Sequence, residues 1–142
     1  MLVESIDKTN KNIVFVYTTC QDLAEAKYLS LSAIEERLAI CSDFWEVSSL
    51  YPWHGVIQDV TQYMVMMTTE KSLAEKLVAF IAGLHSYSIP MVSTCESQFT
   101  NPAYLTWADK TLNSNELYKS REEEIATERS IAEDGYHPGH LK

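Results

Sequence analysis

Apolar and polar positions alternate along this chain in a way that marks out its elements one after another. Ile13-Val14-Phe15-Val16-Tyr17 is an unbroken β-branched and aromatic run, the mark of a strand buried on both faces. It stops at Thr18-Thr19, and Thr19 is expected to cap a helix, with Asp22 three positions on as a short capping box. Leu23, Ala26, Leu29, Ala33, Ile34 and Leu38 give that helix its apolar face, and Glu25, Glu35, Glu36 and Arg37 fall on solvated positions. Trp45, Val47, Ser49, Tyr51 and Trp53 then alternate along one strand face, His54-Gly55 signals a turn, and a second strand is most apolar at Tyr63-Met64-Val65-Met66-Met67. The two form a long hairpin. Thr69-Glu70 is expected to open a second helix, whose stripe Leu73, Leu77, Phe80, Ile81, Leu84 keeps the helical period. A last strand is expected from about Tyr87 to Cys95, with Pro90 at an edge or bulge, and Asn101-Pro102 starts a short helix through Trp107.

The order β-α-β-β-α-β defines an α+β chain of split-βαβ, ferredoxin-like design, with an additional C-terminal helix. In that design both long helices lie on one sheet face. The central strands are apolar on both sides, so the second face needs a cover, and a partner subunit is the simplest one. Oligomerisation follows from the pattern, while its symmetry does not. Residues 1–11 read as an N-terminal extension, 12–112 as the domain, and 113–142 as an acidic C-terminal extension. In that extension Asn113-x-x-Glu116 can start a helix whose thin stripe is Leu117, Ile125 and Ile131. Gly135, Pro138 and Gly139 end it, and the last residues are expected to be disordered.

With 142 residues, 46% hydrophobic, the chain fits one domain with a real core. Its formal charge of −9 argues against nucleic acid and against an anionic membrane surface. Acids outnumber bases 13 to 7 over residues 1–110 and 7 to 4 over 111–142, so the acidity is spread rather than confined to a tail. No segment looks like a signal peptide or a membrane span. Cys20, Cys41 and Cys95 are an odd number without CxxC spacing, which disfavours a disulfide framework or structural zinc and makes a cytoplasmic location the expectation.

Among side chains with possible chemistry, Cys20 is expected at a strand end just inside a helix N-terminus, where the dipole favours an exposed thiolate that suits Cu(I); the plainer reading is a small residue in a turn. Cys41 and Cys95 read as packing. His85 ends the second helix, as a C-terminal cap or, with Cys20, as a metal ligand. His54 is expected to face solvent, and His137-x-x-His140 is a weak chelating pair. Tyr17, Tyr51, Trp53, Tyr87, Tyr104 and Trp107 belong to core, interface or a ligand cleft. Thr18, Thr19, Thr68 and Thr69 supply hydroxyls near strand ends, for capping or for the same cleft. Phosphate loops, nucleophile elbows, zinc-protease motifs and carboxylate pairs are absent from the sequence. A Cys20–His85 dyad is compatible with the residue types alone.

Four segments carry a resemblance. Ile13–Cys20 followed by Glu35-Glu-Arg-Leu-Ala39 and Cys41, Ser49-Leu-Tyr51-Pro-Trp53-His-Gly55-Val-Ile57, His85-Ser-Tyr87-Ser-Ile-Pro90, and Asn101-Pro-Ala-Tyr104-Leu105-Thr-Trp107 are similar, in order, to the motifs of the CutA (divalent-cation-tolerance) family. The resemblance spans about residues 12–110. It implies a tight homotrimer with sheets inward, a link to copper and other divalent cations as possible cofactors, and an architecture similar to PII signalling proteins, which bind small ligands between subunits. Five positions depart from the family pattern: Gln62 and Met91 stand where acids are usual, Thr68 where a Lys is usual, and Phe99 and Thr100 where glycines are usual. The candidate cleft comprises Tyr17, Thr18, Thr19, Tyr51, Trp53, Thr68, His85, Tyr87 and Trp107, and the candidate metal ligands are Cys20 and His85. With Gln62, Thr68 and Met91 neutral, hard cations and anionic nucleotides are expected to bind weakly, with metal preference moved toward Cu(I). The reading is therefore a non-enzymatic trimer that binds a metal or small ligand and can signal through a protein partner. A trimeric scaffold without a metal role, and third a small enzyme, are the alternatives.

Overall fold

A computed structural model describes residues 11–119 and 123. β1 (Ile13–Cys20), α1 (Leu23–Glu35), β2 (Cys41–Trp53), β3 (Val56–Glu70), α2 (Lys71–Leu84), β4 (Val92–Glu96) and α3 (Pro102–Leu112) follow one another. The described strands form one antiparallel sheet in the order β2-β3-β1-β4, the ferredoxin-like order expected from the pattern.

Strand alternation decides what each face does. Val14, Val16 and Cys20 of β1 and Val65 and Met67 of β3 meet Ala26, Leu29 and Ala33 of α1 and Leu77 and Ile81 of α2, which makes the main core. On the opposite face, α3 covers one end of the sheet, where Ala108 and Leu112 pack with Ile13, Ile40 and Phe15. The chain therefore supplies part of the cover that the pattern assigned to a partner. The rest of that face stays open, with Trp45, Tyr51 and Trp53 exposed along the hairpin.

The hairpin turn follows from local chemistry. His54 (φ 51°) and Gly55 (φ 79°) both take left-handed conformations, as a two-residue turn matched to strand twist requires. The register Trp53↔Val56 through Cys41↔Thr68 extends unbroken from it.

Several boundaries differ from expectation. Thr19 does not cap the first helix; Asp22 does, accepting from Glu25 N at 2.9 Å, because β1 runs on through Cys20 and leaves Thr18 and Thr19 in the ladder. Thr69 and Glu70 likewise belong to β3, and α2 starts without a side-chain cap. β4 begins at Val92 rather than Tyr87, so Pro90 lies in the connection before the strand, where its missing N–H costs no ladder bond. Asn113 ends α3 as its C-cap, and residues 114–119 have no regular structure, so the helix start expected at 113–116 is corrected. Arg37 donates to the Glu116 carbonyl and stacks on the Tyr118 ring at 3.8 Å, which ties this segment to the end of α1. Ile125, Ile131, the expected disordered end and the His137–His140 pair lie outside the described residues, as do residues 1–10 of the N-terminal extension.

Candidate functional site

The hairpin strands, the end of β1 and the segment between α2 and β4 enclose a cavity of about 530 Å³ on the open sheet face, a size suited to a small molecule. From β2 come Ser49, Leu50, Tyr51 and Trp53. Gln58 and Gln62 of β3 and Thr19 of β1 line the sheet side. Tyr87, Ser88, Ile89 and Met91 make the opposite wall. All of these side chains are uncharged in their ordinary states.

Register explains why these residues meet. Gln58 pairs with Tyr51 and Gln62 with Val47, so both glutamines share a face with the alternating Ser49, Tyr51 and Trp53. Gln62 is only 6% exposed and donates from Nε2 to the Tyr87 hydroxyl at 2.6 Å. Its amide thus joins the sheet to the opposite wall. Burial is the main influence that raises the Tyr87 phenol above its ordinary range, partly offset by the Gln62 bond.

That wall is anchored from behind. Glu25, 8% exposed, accepts from Ser86 N (2.9 Å), Ser86 Oγ (2.8 Å) and Gln21 N (3.3 Å). The fully buried His85 ring accepts the Tyr87 N–H at Nδ1 (3.2 Å), while Nε2 lies 2.9 Å from the Thr19 carbonyl and 3.0 Å from Thr18 Oγ1. A carbonyl only accepts and an amide N–H only donates, so the proton sits on Nε2. Thr19 and Tyr87, on two sides of the cavity, are therefore held by one imidazole. Burial pulls the Glu25 carboxyl upward most strongly, yet the Ser86 and Gln21 donors and nearby His85 together hold it below the usual range.

Of the nine residues expected in the cleft, four line the cavity: Thr19, Tyr51, Trp53 and Tyr87. Thr18 and His85 lie behind the wall, and Tyr17 shares the sheet face of Thr19 without lining the cavity. Thr68 is corrected. It is 3% exposed and pairs with Phe15 and Cys41 at the opposite end of β1 from Thr19, because antiparallel pairing sends the end of β3 to the start of β1. Trp107 lies away from the cavity too, packing beside Tyr104 in the α3 cluster. Of the five departures from the family pattern, Gln62 and Met91 border the cavity, and Thr68, Phe99 and Thr100 do not.

Cys20 is corrected most sharply. It is 0% exposed and faces the main core, and α1 begins only at Leu23. Burial first, and then the Glu25 charge, raise its thiol to about 11, and it donates to the Asp22 carbonyl at 3.7 Å rather than to His85. Cys95, expected to be packed, is the exposed cysteine.

Sequence reasoning missed Glu25, placed on a solvated position, and overlooked Gln58, Ser88 and Ile89. Asp22-x-x-Glu25 is itself a capping-box pattern that would have drawn Glu25 inward, and hairpin alternation from Tyr51 reaches Gln58. Nothing local in the sequence marks Ser88 or Ile89.

The donor set is a poor fit to a cation. Hydroxyls, carboxamides and one thioether line the cavity, whereas hard divalent ions need carboxylates. A thiol raised to about 11 stays protonated, and both ring nitrogens of His85 are engaged. Among the described residues no three His, Cys, Asp or Glu side chains gather as a metal cluster, and no helix is long and apolar enough to cross a membrane.

Comparison with known proteins agrees with the fold. Mouse Protein CutA is 29% identical over 99 residues, covering 69% of this chain and 56% of its own length, so the chain spans little more than half of that relative. The divalent-cation tolerance protein CutA of Pyrococcus horikoshii is 30% identical over 95 residues, 67% of this chain and 93% of that protein. The crystal structure of CutA1 from Pyrococcus horikoshii superposes with a TM-score of 0.69 at 27% identity, covering 71% of this chain and 99% of that one. CutA1 from Ehrlichia chaffeensis, at 23% identity, shares the fold with a TM-score of 0.70 over 72% and 97% of the two chains. With the family model for the CutA1 divalent ion tolerance protein matching residues 14–111, the chain belongs to the CutA1 family.

Proposed function

We propose that this chain is a homotrimeric binding protein, without catalytic activity, that takes a small ligand in the cavity on its open sheet face. The observation that carries the reading is that cavity: about 530 Å³, between rigid strands and a wall fixed by Glu25 and His85. Pre-organised polar groups in a mostly apolar recess favour binding. Assembly is supported by Trp45, Val56 and Ile57, exposed along the hairpin outside the cavity lining, an apolar surface that a partner would cover. The three unpaired cysteines favour a reducing cytoplasm. Divalent-ion tolerance, which the family description names, would then be an indirect consequence of ligand binding or run through a protein partner.

Light scattering on the reduced protein should give about three times the 16.2 kDa chain mass; a monomer at micromolar concentration overturns the trimer. A thermal-shift screen with Cu(I), Mg²⁺ and uncharged small molecules tests binding, because a ligand of the folded state raises its apparent stability. Tight Cu(I) binding that Cys20→Ser abolishes would replace the cavity reading with a metal site.

A further inference from the structure

Resting on the reading of this cavity as a ligand site, we infer that its ligand is an uncharged planar molecule that carries a hydrogen-bonding group such as an amide. Three observations meet on this class. Tyr51, Trp53 and Tyr87 present ring surfaces from two sides of one recess, and such rings favour stacking or edge contact with another flat ring. The polar groups of the lining include two carboxamides, three aliphatic hydroxyls and two phenols, which both donate and accept and so suit a neutral amide or heterocycle edge. Among the described residues no lining side chain carries a charge, and the Gln62 amide at the base is 6% exposed. A ligand carboxylate or amidinium would thus lose water without meeting a counter-charge.

The Gln62–Tyr87 bond adds a direction. Gln62 Nε2 donates to the Tyr87 oxygen, so the phenol proton points away from Gln62 and is available to an acceptor. Behind the wall, Glu25 spends its oxygens on Ser86 and Gln21, which takes it out of ligand recognition.

The test uses one ring in three charge states on the full-length native protein: 2-naphthamide, 2-naphthoate and 2-naphthamidine, by calorimetric titration. The amide should bind at least about tenfold more tightly than either ion. Gln62→Glu, which places a carboxylate at the base, should reverse the order between amide and amidinium; Tyr51→Ala should weaken the amide. Preferential binding of the carboxylate or amidinium to the native protein overturns the neutral-ligand inference and leaves a cavity-binding protein. Amide binding that Gln62→Glu does not alter places the ligand elsewhere and overturns both readings. Absence of saturable binding by all three, with the trimer intact by light scattering, means that a neighbouring chain fills the recess and also overturns the inference.

Discussion

Removing the Glu25 carboxylate should loosen the wall of the cavity and cost measurable stability. The carboxylate is 8% exposed and accepts two short bonds from Ser86 and a longer one from Gln21. Hydrogen bonds to a charged group contribute about 1.5 kcal/mol or more each. Two such bonds and a weaker third make about 3.5 kcal/mol, and the side-chain entropy released in Glu25→Ala returns about 1.5. A loss of about 2 kcal/mol remains. For a chain of this size that lowers Tm by about 6–8 °C, read by scanning calorimetry at matched protein concentration. The pH dependence separates charge from packing. Burial, the largest influence, pulls the carboxyl up, but its donors and His85 hold it below the usual range in the folded chain, while in the unfolded chain it titrates near about 4.3. The folded state binds fewer protons between those values. Its contribution is therefore fully present above the unfolded value and disappears as pH falls through the folded one. The Tm gap between the parent and Glu25→Gln should be constant from about pH 7 to 5 and shrink below about pH 4. A gap that stays level down to about pH 3, or a Glu25→Ala protein as stable as its parent, would refute this account.

Two further outcomes follow from positions that the fold fixes. Thiol labelling of the native protein near pH 8 should modify Cys95 at least about tenfold faster than Cys20, because Cys20 is fully buried with its thiol raised to about 11; Cys20 reacting first would mean that β1 opens at its end. Gly55→Ala should cost about 1 kcal/mol, measured by urea unfolding, since φ is 79° and an added Cβ meets nothing within 4 Å. A loss of several kcal/mol there would point to a packing role at the hairpin tip in the assembly.

What the sequence determined by itself is everything that depends on period and local geometry. Ile13–Tyr17, the Leu73–Leu84 stripe and the His54-Gly55 turn specify their elements because two- and 3.6-residue repeats and left-handed turns are local properties. The β-α-β-β-α-β order then leaves few topologies. What only the tertiary structure decided is which ends meet. Antiparallel pairing of β1 with β3 carries Thr68 away from Thr19, and α3, folding back over Ile13 and Phe15, takes Trp107 out of the cleft. Glu25 shows the same limit from the other side. Helical spacing places it beside solvent, but Ser86, 61 positions on, returns to bury and bond it. Cys20 is buried for a comparable reason: one more ladder pair, Cys20↔Tyr63, turns its side chain into the core. Contacts between distant segments depend on how the whole chain closes, and no local window of residues contains that information.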